Sequence, residues 1–196
     1  MKLSVVIPAH NEEGNIEKTY EELKSALDAR KIEFEIVVVD DNSSDSTPAI
    51  LAKLQQADGR VRPVRRNTNN GFGRAVREGI ANVKGDVVVI YMADLSDDPQ
   101  DVIRYYDKIL EGYDCVFGSR FMKGGQIVDY PKFKLVVNRI VNFMLSITFF
   151  TSHNDLTNAF KAYRTHVLDN SGPFKSSHFN ITIEMSLSAL IRNYKI

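Results

Sequence analysis

Three carboxylates follow one strongly apolar segment of the chain. Four β-branched residues and a tyrosine at positions 87–91 predict a buried strand, and Asp94, Asp97 and Asp98 come directly after it. Carboxylates gathered at a strand end repel one another unless a cation lies among them, and oxygen ligands suit Mg²⁺ or Mn²⁺. Asp97 or Asp98 could instead cap a helix that begins at Pro99. Because a helix cap leaves Asp94 unexplained, we expect Asp94 to bind a metal or ligand.

Polar residues also follow other predicted strands. The first strand leads into residues 8–13, the second into residues 40–47, and the fifth into Gly118, Ser119 and Arg120. The carboxyl ends of parallel strands share one edge of the sheet, where open α/β sheets bind their ligands. Asp, Asn and Ser are also ordinary turn residues. Acidic groups at two strand ends with an arginine at a third favour a binding cleft over simple turns.

The elements that position these residues alternate between strand and helix. Such alternation indicates βαβ units, so we expect an α/β fold with a mostly parallel sheet and helices on both faces. Tyr194–Ile196 could begin a further strand. The predicted strands are 3–7, 34–39, 61–64, 86–91 and 115–118, and the predicted helices are 12–30, 46–57, 72–83, 99–111, 131–150 and 183–193.

The composition is that of one globular domain. The 196 residues are 43% hydrophobic and 26% charged, with 25 basic and 25 acidic side chains, so charge gives no support for a nucleic-acid partner. The single cysteine, Cys115, lies in an apolar segment and permits no internal disulfide, which favours a reducing, cytoplasmic compartment. No window approaches the ~18 apolar residues of a membrane-spanning helix, and we expect no signal peptide.

A glycine-rich segment at residues 69–79 opens a predicted helix. Gly71 and Gly73 allow another backbone to approach closely, and a helix N-terminus attracts anions. The spacing matches neither a dinucleotide fingerprint nor a P-loop. A phosphate contact and a plain helix start therefore remain equal alternatives.

The segment 131–150 combines basic and apolar character. Pro131 suits a helix start, and Lys132, Lys134 and Arg139 supply positive charge. The apolar residues between and after them cover more of the helix than one stripe needs. The segment is too short and too charged to span a bilayer, so it predicts either a helix at a membrane surface or a core helix on the sheet.

Several of these segments resemble, in order, a known family. Residues 5–13, 37–47, 70–79 and 92–94 resemble family-2 glycosyltransferases of the GT-A fold. Residues 118–125, with Lys123-Gly124-Gly125, and residues 155–164 resemble the polyprenol-phosphate branch, the relatives of dolichol-phosphate mannose synthase. The resemblance covers nearly the whole chain. It implies one catalytic domain over 1–196, with a nucleotide-sugar-binding half (1–120) and an acceptor half (121–196) that continues further in relatives.

The resemblance also implies roles on the donor side. Asp94 matches the second aspartate of the D-x-D metal motif, whose first position is Met92 here. Methionine is a poor Mg²⁺ ligand, so donor phosphates, water, Ser96 or Asp97 would complete the shell. Asp41 matches the residue that holds the base or ribose of a GDP- or UDP-sugar. The other positions expected to bind the nucleotide sugar are Pro8, Ala9, Asn11, Glu12, Asp40, Gly71, Arg74 and Ala93.

On the acceptor side, the resemblance implies a polyprenyl phosphate. Arg120 and Lys134 match positions that meet its phosphate, and we expect Asn138 and Arg139 beside them. Asp155 would be the base for a hydroxyl acceptor, whereas with a phosphate acceptor it would hold its loop or contact the sugar. We count Asp94, Arg120 and Asp155 as catalytic candidates.

The expected function is inverting transfer of a hexose from a nucleotide diphosphate sugar to polyprenyl phosphate. The chain would act at the cytoplasmic face of a membrane, with Mg²⁺ or Mn²⁺ as cofactor. Two alternatives stay open: transfer to a saccharide hydroxyl, and a catalytically weak nucleotide-sugar-binding protein.

Overall fold

The computed structural model describes residues 1–122 and 131–196. The motif residues Lys123, Gly124 and Gly125 lie outside these ranges. The strands are β1 (Leu3–Ala9), β2 (Phe34–Asp41), β3 (Val61–Arg66), β4 (Val87–Ile90), β5 (Cys115–Phe117) and β6 (Lys161–Arg164). The helices are α1 (Ile16–Ala29), α2 (Thr47–Ala57), α3 (Phe72–Ala81), α4 (Pro99–Leu110), α5 (Lys132–Thr148), α6 (Thr165–Ser171) and α7 (Ile181–Ile191).

Within the described residues, the six strands form one sheet in the order β3-β2-β1-β4-β6-β5. Strand β1 pairs in parallel with β2 and β4, and β2 pairs in parallel with β3. Strand β6 runs antiparallel to both β4 and β5. The predicted mostly parallel sheet is therefore confirmed, and β1 to β5 all point their carboxyl ends toward one edge.

Two parts of this arrangement differ from the sequence prediction. Strand β6 was not expected, because Lys161 and Arg164 at its ends conceal the apolar pattern of a short strand. Tyr194–Ile196 forms no strand, so that expectation was wrong. The backbone of Lys195 instead accepts hydrogen bonds from the N–H groups of Asp114 and Cys115, at 2.8 and 3.1 Å.

Helices cover both faces of the sheet, as predicted. On one face, α1, α2 and α4 pack their apolar side chains against alternate strand residues such as Val5 and Ile7. On the other face, α3, α6 and α7 pack against the intervening residues, such as Val6. This alternation follows from the two-residue period of a strand, and it explains why the central strands are apolar throughout.

Helix α5 belongs to neither of these two cores among the described residues. Its one fully buried residue is the polar Asn142. The core-helix alternative is thus wrong for this segment. No helix in residues 1–122 and 131–196 has the length and apolar character needed to cross a membrane.

Candidate active site at the carboxyl edge of the sheet

The loops that follow β1, β2 and β4 each contain a residue with a left-handed backbone. Asn11, Asn42 and Leu95 have φ angles of 57°, 60° and 62°. Non-glycine residues adopt this conformation at a cost, and such positions cluster at functional sites. These three positions lie at the sheet edge where the sequence predicted a cleft, while Lys31, Phe150 and Asn193 have the same conformation elsewhere.

The loop after β1 is tied to the loop after β2 by hydrogen bonds. The backbone N–H of Asn11 donates to Ser43 Oγ at 2.9 Å, and Asn11 Oδ1 accepts from the N–H of Ser44 at 2.8 Å. The N–H of Glu12 donates to Thr47 Oγ1 at 2.8 Å. The two loops therefore form one wall, which also contains the buried Pro8 and Ala9 at the end of β1.

The two aspartates at the end of β2 are buried and paired with arginines of β3. Asp40 pairs with Arg65, and its Oδ1 accepts from the N–H of Ser43 at 2.9 Å. Asp41 pairs with Arg66 through Oδ1, while its Oδ2 accepts from the N–H of Gly71 at 2.6 Å. Asp41 thus joins the ends of β2 and β3 to the start of α3, and a nucleotide contact at this carboxylate stays a prediction.

The first backbone N–H groups of α3 are already hydrogen-bonded to another segment of the same chain. The N–H groups of Gly73 and Arg74 donate to the carbonyl oxygen of Ser177, at 3.1 and 3.3 Å. With Gly71 bound to Asp41, this favours the helix-start alternative over a direct phosphate contact by these amides. The guanidinium of Arg74 donates to the carbonyls of Asn69 and Asn70, and it lines a cavity of about 390 Å³ beside this loop.

The three aspartates in the loop after β4 lie in different environments. Asp98 caps α4 by accepting from the N–H of Gln100 at 2.8 Å, as the capping alternative predicted. Asp97 points inward and accepts from the N–H of Met92 at 2.9 Å. Asp94 is exposed, and its Oδ1 accepts from the N–H of Ser96 at 3.1 Å. Asp94 is therefore the carboxylate of this loop that faces solvent at the strand end without capping the helix.

The environment of Asp97 disfavours its charge. Burial, together with the charges of Asp94 and Asp101, raises the pKa of Asp97 to about 7, although the Met92 N–H and Arg120 act in the opposite direction. Because the charge of Arg120 lowers the pKa of Asp97, the loops after β4 and β5 lie close enough for their charges to interact.

The predicted metal ligands only partly suit a divalent cation. In the part of the chain that the structure describes, no three His, Cys, Asp or Glu side chains gather as a metal site. Asp97 accepts one hydrogen bond from the Met92 N–H through Oδ2, and its role as a metal ligand stays a prediction. Asp94 remains suitable, since Mg²⁺ is often bound by one or two carboxylates together with substrate phosphates.

Arg120, after β5, is held by a buried carboxylate. Its Nε and Nη2 donate to the two oxygens of Asp155 at 2.8 and 2.7 Å, and its backbone N–H donates to the same group at 3.1 Å. The Asp155 side chain has no exposed surface, whereas 27% of the Arg120 side chain is exposed. Asp155 therefore fixes Arg120 in a bidentate geometry, while part of the arginine side chain stays exposed.

A polar network connects this ion pair to α5. Thr157 Oγ1 donates to Asp155 Oδ1 at 3.1 Å and accepts from Asn138 and Asn142 at 2.9 and 3.0 Å. Asn138 thus lies at the predicted acceptor region. On the same helix, the Arg139 guanidinium stacks over the Phe121 ring at 4.6 Å, and Lys134 is exposed on the first turn.

Three residues of this region were not identified from sequence. Thr157 and Asn142 complete the network, and two asparagines four residues apart in an apolar helix are the signal that could have revealed it. Lys161 is completely buried and donates to the carbonyls of Leu156 and Thr182 and to Ser186 Oγ. Burial lowers the pKa of Lys161 to about 7, with Asp155 raising it and Arg120 lowering it further.

The chain is similar to proteins of one enzyme family. The family described as glycosyl transferase family 2 matches residues 4–172. A dolichol-phosphate mannosyltransferase from Pyrococcus furiosus is 35% identical over 141 residues. That alignment covers 71% of this chain and 39% of the relative, so the chain spans well under half of that protein.

Solved structures share the fold. Glucosyl-3-phosphoglycerate synthase from Mycobacterium tuberculosis, in complex with phosphoglyceric acid, matches with a TM-score of 0.73 at 24% identity. The match covers 97% of this chain and 66% of that one. The same enzyme with Mn²⁺, UDP-glucose and phosphoglyceric acid matches with a TM-score of 0.71 at 22% identity, over 97% and 65% of the two chains.

These likenesses agree with the architecture. The GT-A fold predicted from the motifs is confirmed by the likeness to these structures. The family match extends from β1 to the end of α6, so it includes every strand of the described sheet. The chain belongs to glycosyl transferase family 2.

Proposed function

We propose that this chain transfers a hexose from a GDP- or UDP-sugar to polyprenyl phosphate at a membrane surface, with inversion at the anomeric carbon. The observation that carries the proposal is the exposed apolar surface of α5, beside the polar network that links Asn138 and Asn142 through Thr157 to Arg120. The name of the Pyrococcus furiosus relative supports the same acceptor. Because the chain spans 39% of that protein, the activity itself is part of the proposal.

The outer surface of α5 suits a lipid boundary. Phe133 and Phe143 are 81% and 65% exposed, while Asn142 faces the protein and is buried. Exposed apolar patches of this kind mark interaction surfaces, and nearby basic side chains add attraction to anionic lipid. This surface supports the proposal that the chain acts peripherally on a membrane, and we propose its cytoplasmic face. The other exposed apolar residues of α5 and its end are Val136, Val137, Ile140, Met144, Ile147 and Phe150, and its basic residues are Lys132, Lys134 and Arg139.

The acceptor phosphate would bind where the polar network meets this surface. The Arg120 side chain is 27% exposed, and the positive charge of its guanidinium suits an anionic phosphate. Asn138 and the cations Lys134 and Arg139 lie on the adjacent helix. Asp155 acts here as a positioning residue, because both of its oxygens accept from Arg120. This occupancy argues against Asp155 as the base for a hydroxyl acceptor.

The nucleotide sugar would occupy the opposite part of the edge. Asp94 would hold Mg²⁺ or Mn²⁺ together with the donor phosphates, and Ser96 lies beside it. The cation would neutralise the nucleoside diphosphate as it leaves. The Mn²⁺ complexes of the structural neighbours are in keeping with this cofactor. The residues proposed to surround the donor are Pro8, Ala9, Asn11, Glu12, Asp40, Asp41, Gly71, Arg74 and Ala93.

The proposed reaction needs no strong base in the protein. An oxygen of the ionised acceptor phosphate attacks the anomeric carbon, and the bond from that carbon to the diphosphate oxygen breaks. The nucleoside diphosphate leaves with the electron pair, and no proton has to be removed. Alignment and charge neutralisation therefore supply the catalysis, with Arg120 orienting the attacking phosphate.

Substitution of Arg120 tests the acceptor assignment. We expect Arg120→Ala to reduce transfer to polyprenyl phosphate by about 100-fold or more, the loss typical of a group that stabilises charge in the transition state. Nucleoside diphosphate binding, measured by calorimetry with Mn²⁺, should stay unchanged. Arg104→Ala, at an exposed arginine of α4, is the matched control.

Three results would contradict the assignment. If Arg120→Ala retains full transfer, the phosphate does not bind at Arg120. If the wild-type chain ignores polyprenyl phosphate but glycosylates a soluble saccharide, the acceptor is a hydroxyl and another group must serve as the base. Nucleotide-sugar binding without any transfer would indicate the binding-protein alternative.

A further inference from the structure

A short segment after α6 packs its backbone directly on the start of α3. We call this segment, residues 175–177, the strap. Its Ser177 carbonyl accepts the N–H groups of Gly73 and Arg74, which have no carbonyl partner within their own helix. A Cβ atom at Gly73 would lie 2.4 Å from the Ser176 oxygen, and one at Gly71 would lie 2.4 Å from the Ser177 oxygen. The two glycines therefore permit a contact that side chains would prevent.

A single carboxylate of α7 holds the strap. Glu184 Oε1 accepts from the N–H of Lys175 at 2.8 Å, and Oε2 accepts from the N–H of Ser176 at 2.9 Å. Although partial burial alone would raise the pKa of Glu184, the hydrogen bonds from Ser176 and Lys175 and the charge of Arg77 lower it. Glu184 is thus ionised at neutral pH, with each oxygen bound to one amide of the strap.

Two further contacts fasten the same region to α3. Arg77 Nη1 donates to the carbonyl of Phe174 at 2.9 Å, just before the strap. The rings of Phe72 and Phe179 stack with their centroids 4.3 Å apart and nearly parallel planes. These contacts hold the chain on either side of the strap, while Glu184 binds two backbone amides within it.

One more hydrogen bond connects the start of α3, on which the strap packs, to the proposed nucleotide half of the site. The N–H of Gly71, directly before α3, donates to Asp41 Oδ2 at 2.6 Å. Because the strap fixes Gly73 and Arg74, it also fixes the direction in which the Gly71 amide meets Asp41. A displaced strap would release the first turn of α3 and shift both Asp41 and the loop that ends at Gly71.

We propose that Glu184 is a positioning residue for donor binding, which acts through the strap and the start of α3 on Asp41. The proposal rests on the proposed function, since it requires a nucleoside diphosphate to bind beside Asp41. It predicts that Glu184 affects the donor and leaves the acceptor unaffected. Glu184 lies on α7 and bonds to the strap, so it needs no contact with substrate to have this effect.

The test uses two variants, Glu184→Gln and Gly73→Ala, and each should displace the strap by a different means. Glutamine keeps the size of the side chain but puts an NH₂ donor against one of the two amides of the strap. Gly73→Ala displaces the strap from the other side, because the added methyl group meets the Ser176 carbonyl. Glu21→Gln, at an exposed position of α1, is the matched control.

Three measurements are compared across these variants. Amide hydrogen exchange at residues 71–74 should accelerate by about tenfold or more in Glu184→Gln and in Gly73→Ala. The affinities for UDP or GDP with Mn²⁺ should fall by about three- to tenfold, in line with the loss of one hydrogen bond. In transfer assays, the KM for the donor should rise, while kcat and the KM for the acceptor should stay near their wild-type values.

Each contrary outcome has a distinct meaning. Unchanged exchange in Glu184→Gln would show that Glu184 does not hold the strap, and faster exchange with unchanged nucleotide affinity would show that the strap does not position the donor site. Either result overturns the inference. If the wild-type chain binds neither UDP nor GDP, the proposed function fails and this inference fails with it, a case recognised by the absence of binding in the control as well.

Discussion

At the residue scale, Asp155 shows why the role of a carboxylate depends on its partners. From the sequence, Asp155 could be a base, a sugar contact or a loop residue. The bidentate pair with Arg120 assigns its two oxygens to one guanidinium. Because both of its oxygens already accept hydrogen bonds from one guanidinium, Asp155 serves better to fix the arginine than to accept a proton from a substrate.

Asp94 is the residue on which the metal proposal depends. Asp94→Asn removes the charge of the proposed ligand with little change in shape, so turnover should fall by orders of magnitude while the melting temperature stays close to that of the wild type. Steady-state transfer assays over a range of Mn²⁺ concentrations measure the effect.

Asp98→Asn is the matched control for this substitution. Asp98 lies four residues further along the same loop, and asparagine caps a helix about as well as aspartate. This variant should keep both stability and turnover. Near wild-type turnover in Asp94→Asn, or an equal loss in Asp98→Asn, would show that Asp94 is not the metal ligand.

Lys161 should make stability depend on pH. The pKa of Lys161 is lowered by burial from 10.5 to about 7 in the folded chain. Between these values the unfolded chain binds more protons than the folded one, so the free energy of unfolding should rise with pH from about 7 toward 10. Below pH 7 both states are protonated, and the folded state bears the full cost of the buried charge.

The variant Lys161→Met tests this dependence. Denaturant unfolding at several pH values from 6.5 to 9 should show a smaller rise for Lys161→Met than for the wild type. The change in slope is the informative quantity, because the variant also leaves the carbonyls of Leu156 and Thr182 without this donor. Lys53→Met, at an exposed lysine of α2, should retain the wild-type slope. Equal slopes in all three proteins would mean that Lys161 stays protonated when folded.

At the scale of elements, α5 is the part of the fold that most needs a partner. Its asparagines Asn138 and Asn142 bind Thr157 of the sheet domain, whereas its outward side exposes aromatic and aliphatic side chains. Helices on the surface of a globular domain have the opposite arrangement, with apolar residues facing the core. A lipid surface would cover the exposed face of α5.

We expect charged substitutions on this face to abolish membrane binding. The double variant Phe133→Asp, Phe143→Asp should lose co-sedimentation with vesicles of phosphatidylcholine and phosphatidylglycerol, since two large apolar groups no longer enter the lipid. Leu110→Asp changes an exposed apolar residue at the end of α4 and should bind vesicles like the wild type. Equal vesicle binding by the double variant and the wild type would show that α5 does not contact lipid.

The elements differ in how well the sequence predicted them. Strands β1, β2 and β4 were predictable because continuous β-branched runs leave little alternative, and α4 because Asp98 and Pro99 mark its start. Strand β6 was not, since a four-residue strand with charged ends has no clear period. The strap was also beyond prediction, because its contact with Gly73 joins segments about 100 residues apart through backbone atoms alone.

For the site as well, the sequence predicts features set by neighbouring residues better than features set by contacts between distant segments. The polar strand ends were predicted to meet at one edge because parallel strands require it, and the structure agrees. Which carboxylates pair with which arginines depends on long-range geometry, as in Asp41 with Arg66 and Asp155 with Arg120. Sequence patterns contain no direct record of such pairs, and they also did not reveal that Asp97 accepts a hydrogen bond from the Met92 N–H.

At the scale of the whole molecule, the sheet edge joins two different surfaces. The loops after β1 and β2 form a hydrogen-bonded wall on the proposed donor side, whereas Arg120 and α5 form a cationic and apolar surface on the proposed acceptor side. Asp94 lies at the end of β4, and β4 stands between β1 and β6 in the sheet. This order places the proposed metal ligand between the proposed donor and acceptor, as a transfer between them requires.

The most direct test of this account is the identity of the product. The purified chain would be incubated with UDP- and GDP-hexoses, Mn²⁺, vesicles containing polyprenyl phosphate and, in parallel, soluble saccharides, and the products would be identified by mass spectrometry. The account predicts a polyprenyl phosphate hexose, formed with the opposite anomeric configuration to the donor and lost in Arg120→Ala. A glycosylated soluble saccharide with unmodified polyprenyl phosphate would contradict it.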